Sequence, residues 1–253
     1  VPVSAVSSGG TVLVAGDGAL SPDGLMVADL SRAESRTVTL GASSEEYVQI
    51  TSGLEEGDVV LVPDPCYPVF ADGPKLAGAE LHYMPMKPEK DFVIDLRDIP
   101  TEVAKRAKLM VVSYPNNPTT AMAPDAFYRD LIAFAREYGI GVLHDNAYSE
   151  LVYDGAQWGS FLRFEGAADV GVEFNSLSKT YALAGARVGF CVGNAEMVGQ
   201  LAKLKSNMDY GMFLPVQRAA IAAITGDQSC VETTRRAYEA RRNYLCDGLT
   251  ALG

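Results

Sequence analysis

The chain has 253 residues with 32 acidic and 21 basic side chains, a formal charge of −11. Hydrophobic residues make up 48%, which excludes a disordered chain and allows one large core without disulfide or metal staples. The acidic balance argues against nucleic acid or an anionic membrane surface as partner, while a local basic pocket for a small anion stays open. The four cysteines, Cys66, Cys191, Cys230 and Cys246, form no CxxC pair, and His82 and His144 are the two histidines, so no metal site is expected. No apolar run approaches the roughly 20 residues of a membrane span. Val1 to Gly10 lack a basic stretch followed by an apolar one, so no secretory leader is expected and a reduced, cytoplasmic protein is the default.

Val1 to Leu40 carry Gly and Ser clusters and a possible strand at Thr11 to Ala15. Gly16-Asp17-Gly18 supplies two glycines of a dinucleotide fingerprint, but Ser21 stands where the third belongs, so the stretch reads as a turn. After Gly41 short apolar runs alternate with helical segments. Strands are expected at Asp58 to Val62, Ala79 to Met84, Leu109 to Ser113, Ile140 to His144, Val172 to Asn175 and Val188 to Val192. Ala126 to Tyr138 has helical spacing, with Phe127, Leu131, Phe134 and Ala135 on one face. Such alternation implies an α/β fold, a mostly parallel sheet with helices on both faces and ligands at the carboxyl ends of the strands. Helices follow at Met197 to Lys205, Val216 to Thr225 and about Cys230 to Leu252. The run Arg235, Arg236, Arg241 and Arg242 in the last reads as a solvated face.

Four motifs fall just after expected strands. Ser113-Tyr114-Pro115-Asn116-Asn117-Pro118-Thr119 is a loop stiffened by two prolines around Asn117. His144-Asp145-Asn146-Ala147-Tyr148 puts a carboxylate at the end of a buried strand, where it needs a cation or serves as a helix N-cap. Tyr148 would face the same way if a helix begins there. Asn175-Ser176-Leu177-Ser178-Lys179-Thr180 holds a lysine in a Ser-rich loop. Arg187 follows Lys179 by eight residues and opens a strand; its fork suits a phosphate. His144 is expected to pack or hydrogen-bond, Cys66 to be unactivated, Trp158 to pack in a loop, and Met208 and Phe213 to lie in the core.

The stretches YPNNPT, DNAY, SLSKT and the Arg closing GAR, in that order, resemble the fold-type I pyridoxal-phosphate enzymes, specifically the class I/II aminotransferases. Gly41-Ala42-Ser43-Ser44-Glu45 and Pro65-Cys66-Tyr67-Pro68 add to the match, which covers roughly Gly41 to Gly253. SYPNNPTTA, HDNAYSE, Val172 to Tyr181 and Lys205 to Asp209 are similar to the LL-diaminopimelate aminotransferase branch and its alanine/aspartate relatives, with Thr120 where many relatives have Gly.

The resemblance implies pyridoxal 5'-phosphate as cofactor, linked to Lys179, which then also moves the Cα proton. Asp145 would pair with the pyridine nitrogen. Asn117 and Tyr148 would bond the ring hydroxyl, and Tyr67 would stack on the ring. Backbone N–H groups of Ala42 and Ser43 would hold the phosphate with Ser176, Ser178 and Arg187. It further implies a homodimer that exchanges an amino group between an amino acid and a 2-oxo acid. The expected division is residues 1–40 unassigned, 41–229 the cofactor-binding large domain, and 230–253 the start of a helix towards a small domain largely absent from this chain. The family's N-terminal arm bears a Tyr that residues 1–40 lack, the pattern changes abruptly at Leu40, and the chain ends where the small domain should begin, so a truncated chain with a foreign or frame-slipped start is expected. The alternatives are other pyridoxal-phosphate chemistry, such as C–S lyase or decarboxylase, and a catalytically incomplete cofactor-binding protein.

Overall fold

The computed structural model describes β1 (Thr11–Ala15), β2 (Ala33–Thr37) and residues 57–252 except position 158. The readings placed on Gly16 to Gly18, Ser21, Gly41 to Glu45 (with Ala42 and Ser43) and Trp158 lie outside the described residues. Two compact units divide the chain, Val1–Gln49 and Ile50–Gly253. In the first, β1 and β2 pair antiparallel, with Thr11 opposite Thr37 and Ala15 opposite Ala33. β1 falls at the expected residues. β2, AESRT, was not expected, because it offers no apolar alternation to read.

The second unit runs β3 (Val59–Asp64), α1 (Val69–Leu76), β4 (Glu80–Pro85), α2 (Thr101–Arg106), β5 (Ala107–Ser113), α3 (Asp125–Tyr138), β6 (Gly141–Asp145), α4 (Ala167–Val170), β7 (Gly171–Ser176), α5 (Leu177–Thr180), β8 (Gly189–Gly193), α6 (Ala195–Met208), α7 (Leu214–Thr225) and α8 (Ser229–Leu252). The six strands β3 to β8 stand in the order β4-β3-β5-β6-β7-β8. All neighbours are parallel except β7 and β8. A Cβ at Gly189 or Gly193 would stand 2.5 Å from the carbonyl oxygen of Asn175 or Gly171, so both ends of β8 need glycine to approach β7. The chain leaves β3 for β4 on one side and then for β5 on the other. Such a reversal opens a crevice at the carboxyl ends of the strands on either side of it.

Strand pleating sorts the apolar residues onto two faces. Val59 and Leu61 of β3, Met110 and Val112 of β5 and Val142 of β6 pack with Phe127, Leu131 and Ala135 of α3 in the larger core cluster. Val60, Val62 and Val111 point the other way and pack with Phe70 and Ala71 of α1. Strands buried on both faces read as near-continuous apolar runs, which is why VVLV and LMVV were visible in sequence. α3 ends at Gly139, whose φ of 69° closes the helix in the left-handed region. Leu131 is fully buried in the larger cluster. Leu131→Ala is expected to lower stability by about 3 kcal/mol, seen as an earlier urea-unfolding midpoint.

Two expectations about the core are corrected. Met208 is 44% exposed and Phe213 73% exposed. Apolar spacing marks a face without saying what covers it, and among the described residues nothing buries this one: α6 has no buried residue and α7 buries only Ala220. Of the two readings of Asp145, the helix N-cap is excluded. Residues 147–150 form turns, so Asp145 caps no helix. No described helix is long and apolar enough to cross a membrane.

Candidate active site

The chemistry-bearing residues gather at the carboxyl ends of β5, β6 and β7. Asn117 lies in the loop after β5, Asp145 ends β6, Tyr148 lies in the turn beyond it, and Lys179 sits in α5 directly after β7. Register explains the convergence: Ser113 pairs with Asp145 and Asp145 with Phe174, so the three strands end side by side. Asn117 Nδ2 donates to the Tyr148 hydroxyl at 3.5 Å. Lys179 Nζ stands 5.7 Å from the centre of the Tyr148 ring, a weak cation–π contact. Asn117, Tyr148, Ser178 and Lys179 line a cavity of about 920 Å³.

Asp145 Oδ1 accepts the Ala147 N–H at 3.2 Å, the only hydrogen bond to its carboxylate among the described residues. Burial pushes its carboxyl above the usual range. The Ala147 N–H and the charges of His144 and Lys179 pull back incompletely. A half-buried carboxylate with an uncommitted oxygen fits a positively charged N–H. Asp145 itself does not line the 920 Å³ cavity; Asn116 does, and its buried Nδ2 has no partner among the described residues.

The other expected site residues do not line the cavity. Tyr67 follows β3, is half exposed, and meets Phe70 edge-on with ring centres 6.1 Å apart. Ser176 Oγ accepts the Ser178 N–H at 3.2 Å and so starts α5. Arg187 is exposed, with φ 52°, and lies just before β8. Its Nη1 donates to the Ala184 carbonyl at 3.0 Å. Cys66 is unactivated, since burial and then the charges of Asp64 and Asp72 raise its thiol.

Several residues of this region were missed. Tyr153, Asp154, Tyr238 and Arg242 line the large cavity. Arg242 forks onto Asp154 through two bonds of 2.7 Å and lies 5.0 Å from the Tyr153 ring centre. The arginine run is therefore not merely a solvated face: Arg235 pairs with Glu232 and Glu239 and reaches the Val152 carbonyl. Glu173 was also missed, although an acidic residue between Val172 and Phe174 of an apolar strand is a readable signal. It lies buried against His144, which hydrogen-bonds as expected. Among the described residues no cluster of His, Cys, Asp and Glu could hold a metal ion.

The family model "Aminotransferase class I and II" matches residues 27–253, beginning ahead of the motifs that start at Gly41. The LL-diaminopimelate aminotransferase of Moorella thermoacetica is 47% identical over 217 residues, which are 85% of this chain and 56% of the relative. That of Desulforudis audaxviator is 50% identical over 200 residues, 79% of this chain and 51% of the relative. The substrate-bound structure of BacF from Bacillus subtilis superposes with a TM-score of 0.74 at 40% identity, covering 77% of this chain and 50% of that one. The chain thus spans about half the length of the curated relatives it matches. With the motif order, the sheet and these similarities agreeing, the chain belongs to the class I and II aminotransferases.

Proposed function

We propose that this chain is the cofactor-binding half of a pyridoxal-phosphate-dependent aminotransferase that moves an amino group between an amino acid and a 2-oxo acid. The observation that carries the reading is the placement of Lys179, Tyr148 and Asn117 on one cavity beside a half-buried carboxylate, Asp145, whose acidity burial has weakened. When bound, pyridoxal 5'-phosphate supplies an electron sink conjugated to the substrate's Cα.

The chain's own groups divide the remaining work. The Lys179 amine holds the cofactor and, once displaced, takes and returns the Cα proton. Asp145 holds a proton at the ring nitrogen. Asn117 and Tyr148 hydrogen-bond the ring hydroxyl, and Tyr67 covers a ring face. Ser176, Ser178 and Arg187 bind the phosphate. Among the described residues Arg187 commits one N–H, to Ala184, which leaves its other donors for an anion.

LL-diaminopimelate is the proposed amino donor, on the names of the relatives at 47% to 50% identity, which would place the chain in lysine biosynthesis. Aspartate and alanine are the alternative donors. We further propose that residues 41–229 form the cofactor-binding domain, that 230–253 begin the link to a small domain, and that the protein works as a cytoplasmic homodimer.

The test is spectroscopic. The chain incubated with pyridoxal phosphate should take on a visible absorption band that LL-diaminopimelate, aspartate or alanine shifts and a 2-oxo acid restores. A band that no amino acid shifts would identify a catalytically incomplete binder. No band at all would remove the cofactor assignment.

A further inference from the structure

We propose that Glu173 is a positioning residue that clamps the two neighbours of Asp145 and so fixes where Asp145 meets its ligand; the second half of this rests on the function proposed above. Glu173 is 3% exposed and its two oxygens accept five hydrogen bonds. Oε1 takes Asn146 Nδ2 at 3.1 Å and Asn175 Nδ2 at 2.9 Å. Oε2 takes His144 Nδ1 at 3.1 Å, Ser160 Oγ at 2.9 Å and the Phe161 N–H at 2.8 Å. Only a carboxylate offers acceptors alone at both ends, so the donor set requires this residue type in its charged form. Burial by itself would push the carboxyl up. The His144 bond and charge and the bonds from Asn146 and Asn175 outweigh it and hold it low.

Alternation along β6 turns His144 and Asn146 to one face of the sheet and Asp145 to the other. Glu173 lies opposite His144 in the register and therefore grips Asp145 from behind on both sides. Its partners have few other anchors. His144 Nε2 and Asn146 Oδ1 have no partner among the described residues, and Asn146 Nδ2 has only the Gly159 carbonyl besides. The same carboxylate reaches Asn175, which accepts from Ser149 and directly precedes Ser176, the N-cap of the α5 turn that carries Lys179. One buried charge thus ties the strand end carrying Asp145 to the strand end carrying Lys179. Hydrogen bonds to a charged group are stronger than those between neutral groups, enough to set local order.

The experiment compares the unchanged chain with Glu173→Ala and with Asn146→Ala, which leaves Glu173 its four other donors. In the cofactor-free chain, amide exchange at Asn146, bonded to Phe174 O, and at Ala147, bonded to Asp145, should quicken roughly ten- to a hundredfold, with β3 amides unchanged. In the pyridoxal-phosphate-loaded chain, the pH midpoint of the visible band should rise by about one unit. A ring nitrogen less firmly protonated repels the proton on the lysine-linked nitrogen less. The clamp is overturned by unchanged exchange at both amides, or by equal quickening in β3. Its reach to Asp145 is overturned by fast exchange with an unmoved midpoint. If Glu173→Ala does not fold, Asn146→Ala decides by the same readings. If the unchanged chain takes up no coloured cofactor, the proposed function fails while exchange still decides the clamp.

Discussion

Lys179→Ala is expected to abolish the visible band of the pyridoxal-phosphate-treated chain and to slow amino-group transfer by about 10⁴-fold or more, some 5 kcal/mol of barrier. The side chain is asked to be both nucleophile and base, and alanine is neither. Lys179→Arg separates charge from chemistry. Arginine keeps the cation near Tyr148 but does not release its proton at any working pH, so it should be as inactive as alanine. An arginine variant that retained the band and the rate would remove Lys179 from its assigned role. Folding should be little affected, because the side chain is only partly buried and its cation–π pair with Tyr148, at 5.7 Å, is weak. Alanine also removes one of the positive charges that draw the Asp145 carboxyl down. Carbon-detected NMR should then find Asp145 titrating at higher pH than in the unchanged chain.

The sheet could be read from residues because its strands are buried on two faces. VVLV and LMVV need no partner to be recognised, and every expected strand lies within two residues of an observed one. The short motifs at the strand ends were readable for a related reason. A parallel sheet sends its ligand-binding residues to one edge, so chemistry-bearing residues after successive strands point to one place. What failed depends on distance in the chain. The pairing of Asp154 with Arg242 spans 88 residues and follows no local spacing. β2 has no apolar alternation, and the exposure of Met208 and Phe213 is a property of what lies next to them. Glu173 is the intermediate case. Its charge inside V-E-F signals a buried partner, but only the register with His144 says which.

Asp145→Asn is expected to act in opposite directions on the bare and the loaded chain. In the folded, cofactor-free chain burial raises the carboxyl above its unfolded value of about 3.9. The folded state then binds more protons than the unfolded one between those two values. Stability contributed by this group is therefore full below about pH 4 and is lost as pH rises through the raised folded value. Asparagine has no proton to lose, so the variant should lack this slope and melt higher than the unchanged chain above that window. Thermal melts across pH 3 to 8 test it, and parallel curves would contradict the assigned burial. Glu173 works the other way: its carboxyl is held low, so its stabilisation is present above the unfolded value and is lost on acidification through the folded one. The two slopes are separable because each vanishes with its own substitution. With the proposed cofactor bound, the carboxylate would become one half of an ion pair with the protonated ring nitrogen, and asparagine would lose it. The half-reaction with an amino donor should slow by about 10³-fold, near 4 kcal/mol, while cofactor still binds through Lys179. Stopped-flow absorbance measures this directly, and an unchanged rate would strip Asp145 of its role. A site residue that weakens the empty fold and strengthens the loaded one is the expected signature of a carboxylate placed for a cation the chain itself does not supply.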